Sequence, residues 1–340
     1  MLGTAPEWVS AERAATRSPR SSWLRLATVA TLSLLLGSLV ALLGVLPVVM
    51  ASTLLHPPRV ASTATPADVG LTYEDVVIPA PGADLRGWYV PGDGQAAVVL
   101  VHGVPGNRGQ MLPLVPALHA AGFDVLLYDQ RAQGSSGGEA VTYGYREAAD
   151  LAVAADYLRA RSGARRVGAL GVSLGGAVVL LGAGEGARVD AVVADSAFAD
   201  LEALIDEGTP MRMFLLGQAL LGSAVGAAWE RLAPLVLWHA ERESGLRAAA
   251  VRPLDVIAAI SPRPLLLIHG EADRLFSYRN SVRLYERAGR PKALWLVPDG
   301  QHGTVRNQYP AEYDRRVVQF FQQALDSQLD NIPRAASNSG

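Results

Sequence analysis

Hydrophobic positions follow two different rhythms along this chain. From Leu26 to Met50 there are 25 residues without a charge. As a helix rising 1.5 Å per residue, that stretch spans roughly 37 Å, enough to cross a bilayer. After residue 70 the rhythm changes to short β-rich runs separated by helix-length segments. Strands are predicted over Tyr73–Ile78, Leu85–Val90, Ala97–His102, Phe123–Tyr128, Arg166–Val172, Val189–Ala194, Pro264–His269 and Ala293–Val297. Pro79, Ala80, Pro81 and Gly82 leave no room for a crossover helix between the first two, which predicts an antiparallel hairpin. Helices are predicted over Gly109–Ala121, Tyr145–Arg161, Leu174–Ala183, Tyr278–Ala288 and Ala311–Leu325. This order implies an α/β fold: an eight-stranded, mostly parallel sheet with helices on both faces.

The segments divide the chain. Arg13, Arg17, Arg20 and Arg25 precede the long apolar run, and only His56 and Arg59 follow closely. The Lys/Arg bias predicts a cytoplasmic tail over residues 1–25, a single transmembrane helix over 26–50 and a body on the outer side of the cell membrane. A signal peptide is the alternative reading, with cleavage near Ala51, although its apolar core is usually about 7–15 residues long. Residues 51–70 read as a linker, 71–328 as the body and 329–340 as a disordered tail. Between Asp195 and Pro264 the connection is too long for a simple loop. Its apolar helical runs at Met211–Ala228 and Trp229–Ala240 predict a helical cap over about residues 199–255. A second membrane span over Met211–Ala228 is the rival reading, opposed by Arg212, Gln218 and three glycines.

Composition removes several classes of function. A net charge of -2 gives no positive field for nucleic acid. The absence of cysteine excludes disulfides, thiolate metal sites and a cysteine nucleophile. No cluster resembles a metal site.

The candidate chemistry begins at Gly171-Val172-Ser173-Leu174-Gly175-Gly176, which ends a β-rich run and opens a helical one. A serine in such a strained strand-to-helix turn projects its hydroxyl outward, and small residues at Gly171 and Gly175 let strand and helix approach. The helix N-terminus directs the Leu174 N–H at developing negative charge, half of an oxyanion hole. The other half is assigned to Val104 in His102-Gly103-Val104-Pro105-Gly106, because Pro105 has no N–H to donate. His102 reads as a structural histidine that fixes this loop.

These motifs resemble the α/β-hydrolase superfamily, in its serine aminopeptidase-like, dienelactone hydrolase-like and membrane-tethered branch, over about residues 73–325. Asp129-Gln130-Arg131-Ala132-Gln133-Gly134-Ser135-Ser136 is similar to the family's Asp-x-Arg-Gly-x-Gly-x-Ser loop, with Ala132 in place of glycine. His269-Gly270-Glu271-Ala272-Asp273 resembles the family segment whose aspartate is the triad acid, which implies that role for Asp273. Pro298-Asp299-Gly300-Gln301-His302-Gly303 resembles the loop of the catalytic histidine, implying His302. The order Ser173, Asp273, His302 is that expected of the fold. Asp299 and Glu271 are the rival carboxylates, and His56, His119 and His239 the rival histidines.

The resemblance implies acyl transfer to water through an acyl-enzyme with no cofactor. Met211, Met213, Phe214, Leu215, Leu216, Leu220, Leu221, Trp229 and Trp238 of the cap would favour a small-molecule or lipid-like ester, unless they only pack the cap onto the core. Glu202, Asp206, Glu207 and Glu230 leave an aminopeptidase-like peptidase open. A membrane-tethered binding protein on the same scaffold is a third reading.

Overall fold

In the computed structural model, residues 19–93, 95–206 and 223–325 are described. The chain divides into two units, Met1–Pro47 and Val48–Gly340. The first contains α1 (Pro19–Val40) and a π-helical turn at Ala41–Val45. Its Leu32, Leu35, Leu36 and Leu39 are exposed. One helical run, Trp23–Leu55, is long and apolar enough to cross a membrane.

That run does not end at Met50. Helix α2 spans Leu46–Leu55, and its last turns belong to the body: Met50, Ala51 and Leu55 are buried. The Leu55 carbonyl accepts the Val141 N–H at 2.9 Å, and the Leu54 carbonyl accepts the Tyr143 hydroxyl at 2.9 Å. Ser52 and Thr53 look like linker residues by composition. The Thr53 hydroxyl instead donates to the Val49 carbonyl at 2.8 Å, so a helical backbone accommodates it.

The body is built on one sheet of β1 (Glu74–Ala80), β2 (Ala83–Val90), β3 (Ala96–Val101), β4 (Asp124–Tyr128), β5 (Arg166–Val172), β6 (Ala191–Asp195), β7 (Leu265–Gly270) and β8 (Lys292–Val297). Their order is β1-β2-β4-β3-β5-β6-β7-β8. The β1–β2 hairpin and the β2–β4 pair are antiparallel, and every other pair is parallel. Alternation along β3 separates the two cores. Ala97, Val99 and Val101 join one cluster, and Val98 and Leu100 the other. Burying each Val or Leu fully contributes about 1.5–3 kcal/mol, which is why parallel strands read as unbroken apolar runs.

Helices α4 (Glu147–Ser162) and α5 (Leu174–Gly184) cover the first face. Helices α3 (Val115–Ala120) and, further on, the C-terminal helix Pro310–Leu325 cover the second. The helix predicted over Gly109–Ala121 is split, with a 3-10 segment at Arg108–Leu114 preceding α3. Pro113 and Pro116 remove the N–H groups that one continuous α-helix requires.

Between β6 and β7 the described chain is helical: α6 (Leu201–Asp206), α7 (Ser223–Ser244) and α8 (Pro253–Val256). Helix α7 runs through the predicted Trp229–Ala240 segment and ends later, at Ser244. Met211, Met213, Phe214, Leu215, Leu216, Leu220 and Leu221 lie outside the described residues, as do the 329–340 tail and residues 1–18. After β7 come α9 (Arg279–Arg287), α10 (Val305–Gln308) and α11 (Pro310–Leu325).

The chain leaves β3 toward β4 and then crosses to β5 on its other side. The crevice outside the carboxyl ends of strands at such a reversal is where open α/β sheets place ligands. Val104 follows β3, and Ser173 follows β5.

Candidate active site

Ser173 is the first residue after β5 and the cap of α5, with φ 58° and ψ −119°. A non-glycine residue at positive φ stores strain, and close packing maintains it here. A Cβ at Gly171 would lie 2.0 Å from the Gly175 carbonyl oxygen, and one at Gly175 would lie 2.2 Å from that of Val101. Strand, turn and helix therefore meet backbone to backbone. The Ser173 N–H donates to the Asp195 carbonyl at 2.8 Å, tying the turn to the end of β6.

The three residues that the family motifs single out converge. The Ser173 hydroxyl lies 2.8 Å from His302 Nε2, and His302 Nδ1 lies 2.7 Å from Asp273 Oδ2. Proton positions follow from the donors available. A carboxylate only accepts, so Nδ1 carries the proton and Nε2 is left to accept from the serine.

Asp273 is held as the ionised form. Burial raises its pKa, but hydrogen bonds from His269 and His302 and the N–H of Phe276 outweigh that and bring it well below the usual carboxylate range. Oδ1 accepts the N–H groups of Leu275 and Phe276, each at 2.8 Å. The Phe276 ring packs edge-on to His302, with centroids 4.5 Å apart.

Several supporting residues were not singled out from the sequence. His269, quoted only as part of its motif, is fully buried. It sits 3.2 Å from Asp273 Oδ2 and 2.7 Å from the Ser281 hydroxyl. Asp195 accepts hydrogen bonds from Ser196 Oγ at 2.8 Å and Tyr313 Oη at 3.0 Å. Burial raises the Asp195 pKa, against those hydrogen bonds and the two nearby histidines. Ser196 Oγ in turn accepts the Gly303 N–H at 3.2 Å, which anchors the residue after His302. The local signal was Asp195-Ser196 directly after a β-rich run; the pairing with residue 303 has no local signal.

His102 is fully buried, and burial lowers its pKa. Its Nδ1 donates to the Gly103 carbonyl at 2.6 Å, and Nε2 accepts the Gln130 N–H at 3.0 Å. It therefore binds the β3 loop to the β4 loop. In that second loop Ala132 has φ 58°, which explains a glycine preference there. Arg131 makes a bidentate pair with buried Asp150 at 2.5 and 2.6 Å.

The rival residues are elsewhere. Asp299 is exposed and accepts from the Tyr309 hydroxyl, and Glu271 is exposed. His56 contacts Glu243 and the Glu139 carbonyl. His239 packs on Trp238, and His119 lies in α3. Among the described residues, no group of three or more His, Asp or Glu is placed to hold a metal ion.

Two cavities meet at this point. An open cleft of about 400 Å³ is lined by Gly103, Val104, Ser173, His302, Arg306 and Tyr313, among others. A narrow cavity of about 40 Å³ is walled by apolar side chains and includes Val104, Leu174 and Phe276. Trp238, one of the cap residues that either line the site or pack the cap onto the core, is half exposed and lines neither cavity. The side chains of Trp229, Asp206 and Glu230, and all of Glu207, lie outside the described residues, whereas Glu202 is half-buried on α6.

Comparison with known proteins places this geometry in context. The family model described as alpha/beta hydrolase fold matches residues 96–221. The uncharacterized protein YqkD of Bacillus subtilis is 33% identical over 258 residues, 74% of this chain and 80% of that relative. The uncharacterized protein YfhR of Escherichia coli K12 is 29% identical over 256 residues, covering 73% and 79%. The solved structure of the Pyrococcus furiosus esterase Pf2001 superposes with a TM-score of 0.65 at 28% identity, covering 80% of this chain and 98% of that one.

Proposed function

Because the chain belongs to the α/β-hydrolase superfamily, a fold whose esterase neighbours make it a hydrolase, we propose that it is a membrane-anchored serine esterase with Ser173 as nucleophile. The observation that carries this reading is the unbroken line from Ser173 through His302 to Asp273, at 2.8 and 2.7 Å. The esterase named for the Pyrococcus furiosus neighbour favours an ester substrate over a peptide.

The steps follow from proton and charge accounting. Neutral His302 takes the Ser173 proton as the hydroxyl oxygen attacks the ester carbonyl carbon. The imidazolium that forms is stabilised by ionised Asp273. Negative charge moves to the carbonyl oxygen, where the N–H groups of Leu174 and Val104 are the donors. Leu174 opens α5, so its N–H has no acceptor within the helix. The tetrahedral species collapses, the C–O bond to the alcohol breaks, and His302 returns the proton to the departing oxygen. Water then gives a proton to His302 and attacks the acyl carbon; the bond to Ser173 Oγ breaks, His302 returns the proton to that oxygen, and the carboxylic acid leaves.

The Trp23–Leu55 run supports anchoring, and Arg13, Arg17 and Arg20 ahead of it with Arg25 in its first turn support a cytoplasmic N-terminus with the body outside. The test of catalysis is hydrolysis of p-nitrophenyl esters by the full chain in detergent. Ser173→Ala lowers kcat to the background while the circular dichroism and unfolding transition stay unchanged. Turnover that survives Ser173→Ala overturns the assignment. On sealed membranes with the native orientation, external protease digests the body; a shielded body reverses the topology.

A further inference from the structure

We infer that the narrow apolar cavity behind Val104 and Leu174 is the acyl subsite, that it selects acyl groups of about four to six carbons, and that the end of the N-terminal helix sets that limit. This deepens the serine-esterase reading and rests on it.

The leaving alcohol must receive its proton from His302 Nε2, so it departs on the side that His302 faces. His302 and Ser173 both line the open cleft, together with polar Gln110, Arg306 and Asn307 and apolar Met111 and Leu114, so that cleft has room for an alcohol of either polarity. The acyl group then occupies the other side of the carbonyl. The narrow cavity is assigned to that side, because it shares Val104 with the cleft, includes Leu174, and among the described residues is lined by neither Ser173 nor His302. Its walls carry Phe198, Leu204, Val236 and Leu237, and the one side-chain hydroxyl among its described lining residues, that of Tyr143, is committed to the Leu54 carbonyl. A site without free polar partners rejects charged or amide groups and favours methylenes.

Its size sets the chain length. At roughly 10–15 Å³ per water-sized sphere, about 40 Å³ holds about three, matching a tail of about three to five carbons beyond the carbonyl. Leu54 and Leu55, from the last turn of α2, form part of the wall. Leu54 is half-buried, and Leu237 of α7 lines the same cavity. The segment that closes the apolar helix is thus a specificity element, and any substrate's acyl tail rests on it.

The test uses the full chain in detergent micelles with p-nitrophenyl esters from acetate to laurate, and fluorophosphonate labelling as an independent report of Ser173. Wild type peaks at butyrate to hexanoate, rising roughly three- to fivefold per methylene from acetate. Leu54→Ala and Leu237→Ala move the peak to longer esters, and Leu54→Trp moves it to acetate, while labelling by a small methyl fluorophosphonate reports separately on Ser173 in each variant. A binding measurement needs no turnover. The chain lacks cysteine, so Leu54→Cys introduces a unique thiol; hexanoate slows its reaction with maleimide, acetate does not, and the exposed control Val60→Cys is indifferent.

Absence of hexanoate protection, or a chain-length profile that neither widening nor filling shifts, overturns the subsite while intact labelling leaves Ser173 chemistry standing. Hexanoate protection with no labelling or turnover at Ser173 overturns the esterase reading and leaves an apolar ligand site.

Discussion

The two halves of the candidate active site are held by different forces. Around Ser173 the backbone is held by contact: β5 and α5 approach until no Cβ fits at Gly171 or Gly175. Around His302 the loops are held by hydrogen bonds, through Asp273 on one side and Ser196 on the other. The steric half tolerates changes of charge and pH but not one added methyl. The polar half depends on ionisation, although its two loops also touch at one point, where a Cβ at Gly270 would lie 2.1 Å from the Gly300 carbonyl oxygen.

The sharpest way to break that contrast is Gly175→Ala. Its methyl would meet the carbonyl oxygens of Val101 and His102 at 2.2 and 2.6 Å. Backbone cannot retreat as a side chain can, so the expected outcome is loss of the cooperative unfolding transition, read by circular dichroism. A folded, active Gly175→Ala protein would show that strand and helix have slack.

Asp273→Asn acts on the other half. The fold is expected to persist while kcat falls by about 10³–10⁴, because the carboxamide permits the wrong imidazole tautomer. Its pH signature follows from the depressed carboxylate pKa. The native state prefers the ionised form, so this stabilisation is present above the unfolded value of about 3.9 and disappears as pH falls through the lower folded value. Urea midpoints of wild type therefore fall more steeply than those of Asp273→Asn below about pH 4. Parallel curves would mean that Asp273 is not held ionised by its neighbours.

Ser196→Ala has a smaller effect, since it removes one acceptor from Gly303 and leaves His302 its bond to Asp273. A drop of about tenfold in kcat, equivalent to about 1.4 kcal/mol, with KM unchanged is expected. A change in KM alone would place Ser196 with the substrate instead. The smallest effect is a gain. Ala132 is buried at φ 58°, and Ala132→Gly relieves strain at some entropic cost, giving a net stabilisation of about 0.5–1 kcal/mol in urea unfolding.

The same contrast explains what the sequence made legible. The strands, their order of direction and the Gly-x-Ser-x-Gly turn are local patterns, and the motif loops follow β-rich runs that bury on both sides. The partners of those loops are not local. His269 meets Ser281 through the packing of α9. Asp195 meets Tyr313 from 118 residues away, and Ser196 meets Gly303 across the sheet edge. No periodicity encodes such pairs. The helix runs on to Leu55 for a related reason: Ser52 and Thr53 look like linker by composition, but Thr53 bonds back to Val49 and the Leu55 carbonyl receives the Val141 N–H.

The most direct test of the central claim is labelling of the full chain with a fluorophosphonate, with the adduct located by peptide mass spectrometry. One adduct is expected, on Ser173, that forms at neutral pH and is slowed strongly by His302→Ala in a protein that remains folded. A folded protein that stays unlabelled, or is labelled at another residue with equal rate in His302→Ala, would contradict it.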